Sequence, residues 1–180
     1  MDDGSEIGAS PDVPEWPTVV SVVGQSGAGK TTLVETLCET LDRRVATIKS
    51  IHHEIEPDTP GTDTHRHRVA GADRVVGVTP SLTFEVARGG KGSDRTPATE
   101  NAAVRDVLTR IARDDYDIVI VEGFSDAPLP TISVGAAEGT PGRTIGTGSD
   151  PIEELVAAID TLEPFDPSTL VGGSEGTPSG

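Results

Sequence analysis

The segment Gly24-Gln25-Ser26-Gly27-Ala28-Gly29-Lys30-Thr31 restricts the possible folds more than any other stretch, because it joins an apolar β-branched run to a helical pattern. Thr18 to Val23 reads as a short strand, and Leu33, Val34, Leu37 and Leu41 then recur at helical spacing. Strand, glycine turn and helix in this order fit G-x-x-x-x-G-K-[ST]. The glycines of that pattern let the backbone fold round phosphates, so that successive N–H groups and the helix N-terminus face the anion. Lys30 is then expected on the β- and γ-phosphates of a purine nucleotide, and the Thr31 hydroxyl on magnesium. Gly24 through Thr32 are the expected nucleotide contacts.

Downstream, strands alternate with helices. Val45 to Ile51 is expected as a second strand, Thr64 to Ala72 as a short helix, and Val75 to Val78 and Thr83 to Ala87 as two further strands. Thr96-Pro97 reads as a cap and first-turn proline opening a helix to about Asp114, with Val104, Val107, Leu108 and Ile111 on its buried face. Ile118 to Val121 has the continuous apolar pattern of a strand covered on both faces. Thr131 to Val134 follows as a strand. Asp150-Pro151-Ile152-Glu153 then resembles a capped helix start, with Ile152, Leu155, Val156, Ile159 and Leu162 as its stripe. The alternation predicts a P-loop NTPase-like, three-layer α/β/α domain with a mainly parallel twisted sheet over residues 17–162. The ends, 1–16 and 163–180, carry too few apolar groups to offset ordering entropy and are expected as mobile tails, the first acidic and the second rich in Gly, Ser and Pro.

A magnesium site in such a fold calls for an acidic residue at the carboxyl end of a buried strand. Glu122, directly after Ile118-Val119-Ile120-Val121, has that place; Asp58 and Asp63 are the two candidates for a second carboxylate. All four histidines, His52, His53, His65 and His67, fall within sixteen residues. Imidazoles suit zinc or nickel. Adjacent histidines on an extended segment, however, point to opposite sides, and His65 and His67 do not share a helix face. Contacts to nucleotide, substrate or partner are the leading reading, with ordinary surface residues and a metal site as the others.

Composition narrows the class. Thirty acidic against fourteen basic residues give a formal charge of −16, and only Lys30, Lys49 and Lys91 are lysines. Such a surface suggests a high-salt cytosol and argues against nucleic acid as a partner. The stretch Arg43 to Arg95 is the exception, with nine basic and seven acidic residues, and is where an anionic ligand is best tolerated. No basic-then-apolar leader and no apolar run of membrane-spanning length is present in the sequence, so a cytoplasmic protein without membrane association is expected. The single Cys38 leaves no internal disulfide and is expected to pack on a helix.

Four blocks in order resemble the molybdopterin-guanine dinucleotide biosynthesis adaptor protein B family, MobB. They are the phosphate loop, Ile48-Lys49 with His52-His53, Asp58 through Gly61, Asp63 and Arg66 into Ala70-Gly71-Ala72, and Asp117 through Val121 into Glu122-Gly123-Phe124. The resemblance implies a GTP- and magnesium-binding adaptor, at most a slow GTPase, that assists the guanylyltransferase joining molybdopterin to GMP, usually as a homodimer. It places Lys30 on phosphate, Thr31, Glu122 and Asp58 or Asp63 around magnesium, and Arg66 among the nucleotide-site residues. Two positions depart from the family: lysine commonly follows the glycine at 61 and the Glu-Gly-Phe triplet, where this chain has Thr62 and Ser125. A small-molecule kinase, with Arg66, Arg68 or Arg74 clamping a phosphoryl group, and a nickel or zinc metallochaperone GTPase are the competing readings. No Asn-Lys-x-Asp base-reading motif occurs, so guanine preference comes from the resemblance alone.

Overall fold

A computed structural model describes residues 16–92, 94, 96–136 and 139–170. They form two compact units, one of residues 51–95 and one of the chain on either side of it. In the larger unit the strands β1 (Thr18–Gly24), β2 (Val45–Lys49), β5 (Ile118–Glu122), β6 (Thr131–Val134) and β7 (Thr144–Thr147) make one sheet in the order β2-β5-β1-β6-β7. Every pairing in it is parallel. The continuous apolar runs explain why β1 and β5 lie inside it: a strand buried on both faces needs apolar side chains at every position. All five residues of β5 are buried.

Alternation along these strands feeds two cores. On one face Val19, Ile48, Val119 and Val121 pack with Val104 and Leu108 of helix α3 (Pro97–Ile111). On the other, Val20, Val22, Ile118, Ile120 and Ile132 pack with Leu37 of α1 (Lys30–Thr40) and with Leu155 and Ile159 of α4 (Ile152–Asp160). Helices therefore cover both faces, and the expected three-layer α/β/α arrangement is the fold. No helix of the described residues is long and apolar enough to cross a membrane.

The smaller unit is built differently. Helix α2 (Asp63–Val69) precedes an antiparallel hairpin of β3 (Arg74–Val78) and β4 (Thr83–Ala87), which among the described residues pairs with no other strand. Thr79 closes the turn, its hydroxyl accepting from the N–H groups of Ser81 and Leu82.

Several details differ from the sequence expectation. Residues 163–170, assigned to a tail, are packed: Leu170 is completely buried, Phe165 lies against the α3 core, and the Phe165 N–H donates to the Pro17 carbonyl at 3.0 Å. Two apolar side chains spaced by a 3-10 turn at Pro167–Thr169 suffice to hold the segment, a signal diluted by the polar residues around them. The outer parts of both expected tails, 1–15 and 171–180, lie outside the described residues. Strand β7 has no counterpart among the expected strands, because an edge strand with two exposed and two part-buried positions lacks an apolar run. Asp150 does not cap α4; its carboxylate accepts from the Thr147 N–H at 2.7 Å and the Thr147 hydroxyl at 2.9 Å, tying the end of β7 to the turn, and Pro151 is the cap residue. Cys38 sits on α1 but on its exposed side.

Candidate functional site

The loop between β1 and α1 is shaped by its glycines. Gly27 and Gly29 have φ of 77° and 96°, in the left-handed region that side chains disfavour, and a Cβ on either would meet no atom within 4 Å. The loop is open on that side, as a backbone cradle for an anion requires. Gly24 answers a different need: a Cβ there would fall 2.2 Å from the Val134 carbonyl oxygen of neighbouring β6. Helix α1 starts at Lys30 with no side-chain cap and no acidic residue in its first turn. The positive end of its dipole is thus left for a ligand anion. The Lys30 ammonium donates to the carbonyls of Gly24 at 2.8 Å and Gln25 at 2.7 Å, which anchors it over the loop.

Thr31, one residue on, turns its hydroxyl to the carboxylate of Glu122, 3.1 Å from Oε1 and 3.3 Å from Oε2. Ninety-one residues separate the two in sequence. They meet because β1 and β5 are parallel neighbours, Val22 lying in register with Glu122, and the loop leaves the same end of the sheet. Glu122 is 7% exposed. The turn after it is held tightly: Gly123, at φ 92°, could not carry a Cβ without coming within 2.8 Å of Ser50 Cβ, and the Ser21 hydroxyl donates to the Gly123 carbonyl at 3.3 Å. A hydroxyl and a carboxylate side by side form an all-oxygen donor pair, the chemistry a hard cation such as magnesium selects.

Lys49 completes this cluster. It is the last residue of β2, stands in register with Glu122 of β5, and donates its ammonium to Glu122 Oε1. Nothing in the sequence around Lys49 marks this role; only strand order and register bring it to the carboxylate.

The other expected site residues belong to the smaller unit, where each has a local partner. Asp63 pairs with Arg66 across 3.2 Å, both side chains mostly exposed, in the first turn of α2. Asp58 accepts from the Thr59 N–H at 2.7 Å and from the Thr62 hydroxyl at 3.3 Å. A hydrogen bond from Thr64, then those from Thr59 and Thr62, hold its carboxyl below the usual range. The departure at Thr62 has a local use: it is the N-cap of α2, accepting from the His65 N–H. A lysine could not make that contact. His65 bridges Glu56, at 3.5 Å through Nε2, and the Gly61 N–H, at 3.3 Å through Nδ1. Arg68 is hydrogen-bonded to both oxygens of Glu56, and that contact is the main reason the Glu56 carboxyl is held low. His52 lies 3.3 Å from the Lys91 ammonium. Among the described residues no three His, Cys, Asp or Glu side chains converge as a metal site.

The model for the family described as molybdopterin guanine dinucleotide synthesis protein B matches residues 19–159. The chain is 29% identical over 151 residues to the molybdopterin-guanine dinucleotide biosynthesis adapter protein of Haemophilus influenzae, covering 82% of this chain and 76% of that protein. It is 33% identical over 109 residues to a putative adapter protein of the same description from Methanocaldococcus jannaschii, covering 61% of this chain and only 42% of the archaeal protein. The crystal structure of Bacillus subtilis MobB shares the fold, with a TM-score of 0.57 at 21% identity over 82% of this chain and 99% of that one. The matched stretch begins in β1, ends in α4 and includes the glycine loop, Lys49 and Glu122, and the chain belongs to the molybdopterin guanine dinucleotide synthesis protein B (MobB) family.

Proposed function

We propose that this chain is a GTP-binding adaptor in the assembly of molybdopterin guanine dinucleotide, holding magnesium-GTP on the loop Gly24–Thr32 and assisting the guanylyltransferase, with slow hydrolysis at most. The observation that carries the reading is the Thr31 hydroxyl on the Glu122 carboxylate beside the uncapped start of α1. These groups suit the two halves of the ligand: backbone N–H groups and Lys30 for the phosphates, Thr31 and Glu122 for magnesium, with Asp58 or Asp63 as the further carboxylate and Arg66 as a further nucleotide contact. Magnesium, when bound, supplies screening of the phosphate charge. Membership of the family and the adapter relatives support the pathway. A homodimer working in the cytoplasm, in contact with molybdopterin on its partner enzyme, completes the reading.

Two measurements test it. Lys30→Ala should weaken GTP binding about ten- to a hundredfold, as expected for losing a charge-assisted bond to a concentrated anion; unchanged affinity in calorimetry would remove Lys30 from the site. Pull-down of the cognate guanylyltransferase, with GTP competed against ATP, tests partner and base together. Rapid GTP consumption in the presence of a small-molecule acceptor would replace the adaptor by a kinase.

A further inference from the structure

We propose that Lys49 is a built-in counter-ion that competes with magnesium for Glu122, and thereby sets the magnesium concentration at which this protein takes up nucleotide. The inference rests on the reading of the loop and Glu122 as a magnesium-nucleotide site. Register places Lys49 and Glu122 side by side at the ends of β2 and β5, and the ammonium bonds Oε1, the same oxygen the Thr31 hydroxyl approaches at 3.1 Å. Their surroundings are unequal. The Glu122 side chain is 9% exposed and the Lys49 side chain 54%. A carboxylate so far removed from water requires a cation beside it, whereas an ammonium on a four-carbon stem is readily returned to solvent.

Magnesium brings two positive charges and a strict demand for oxygen ligands at short range. An ammonium on the same carboxylate repels it and takes one of the lone pairs it would use. The two cations are therefore alternative occupants of Glu122. Lys30 does not share this freedom, because two loop carbonyls, those of Gly24 and Gln25, hold its ammonium in place. Of the two lysines at this end of the sheet, Lys30 is the fixed one and Lys49 the exchangeable one.

The test titrates a fluorescent GTP analogue onto the full chain at graded magnesium chloride. In Lys49→Met the half-saturating magnesium concentration should fall about tenfold, within the usual span of coupling between two ligands. In Lys49→Arg, whose forked guanidinium grips a carboxylate more firmly, it should rise several-fold. An unchanged or raised requirement in Lys49→Met overturns the proposal, and so does an unchanged or lowered one in Lys49→Arg, which keeps the charge and serves if the methionine variant does not fold. A second arm uses magnesium alone: added magnesium chloride should raise the melting temperature of Lys49→Met more than that of the native chain, and equal shifts sink the exchange. Should the native chain bind no GTP analogue at any magnesium concentration, the nucleotide reading fails, while the melting arm still decides the competition at Glu122.

Discussion

The two units of this chain differ in how they use apolar residues. In the parallel sheet every position of β5 is buried, and two separate cores fill the space between sheet and helices. Among the described residues of 51–95, Val75 is the one large hydrophobic residue of the buried core. The exposed large hydrophobics of the described residues, Ile51, Ile55, Val69, Val76, Val78, Leu82 and Phe84, all belong to that smaller unit. A two-stranded hairpin has one face too many to cover with a single short helix, and is marginal by itself in water. The sheet unit thus carries both cores together with the glycine loop, Lys49 and Glu122, while the hairpin unit holds its shape by turns, caps and surface ion pairs.

The largest expected effect that tests this contrast is in the core. Ile120→Ala should lower the unfolding free energy by about 2–5 kcal/mol in urea denaturation, because it opens a cavity among completely buried neighbours. Val78→Ala, on a side chain 78% exposed, should change it by no more than about 0.5 kcal/mol. Similar losses at both positions would erase the distinction between the units.

A smaller effect separates the two capped helices. Thr96 caps α3 with a reciprocal bond to Thr99, and Thr62 caps α2. Thr96→Ala should cost about 1 kcal/mol of global stability. Thr62→Ala should appear in local opening of α2, read by amide hydrogen exchange, with little change in the global transition. A global loss from Thr62→Ala as large as that from Thr96→Ala would show that the hairpin unit unfolds together with the sheet.

The smallest effect concerns pH. Glu56 and Asp58 both lie below their ordinary values of 4.5 and 3.8, the first chiefly through Arg68 and the second chiefly through Thr64. A carboxyl group whose pKa is lowered by folding adds stability above its unfolded pKa and loses it as pH falls through the folded value. Acidification below about pH 4.5 should therefore loosen the α2 region, seen as faster exchange of its amides on going from pH 6 to pH 3 after correction for intrinsic rates. Both carboxylates are in contact with solvent, so the change is modest. Protection of α2 that does not change over this range would show that these contacts contribute nothing.

Much of this was legible in local pattern. The stripes Leu37 with Leu41, Val104 with Leu108, and Leu155 with Ile159 are the buried faces of their helices, since periodicity is a property of a short window. Thr96-Pro97 opened α3 as expected. Where the pattern misled, a competing local bond had won: Asp150 beside a proline looks like a cap, yet the hydroxyl and N–H of Thr147 claim both of its oxygens. At Cys38 apolar character suggested packing, but its place on α1 faces outward.

The sequence by itself determined that a glycine loop joins a buried strand to a helix opening with Lys30 and Thr31, and that Glu122 ends another buried strand. Each is written in contiguous residues. Only the tertiary structure decided that β5 lies between β1 and β2, so that Thr31 and Lys49, ninety-one and seventy-three residues from Glu122, meet on one carboxylate. Strand order and register fix such encounters, and both follow from which apolar faces pack across the whole sheet rather than from any stretch of sequence near the residues that meet.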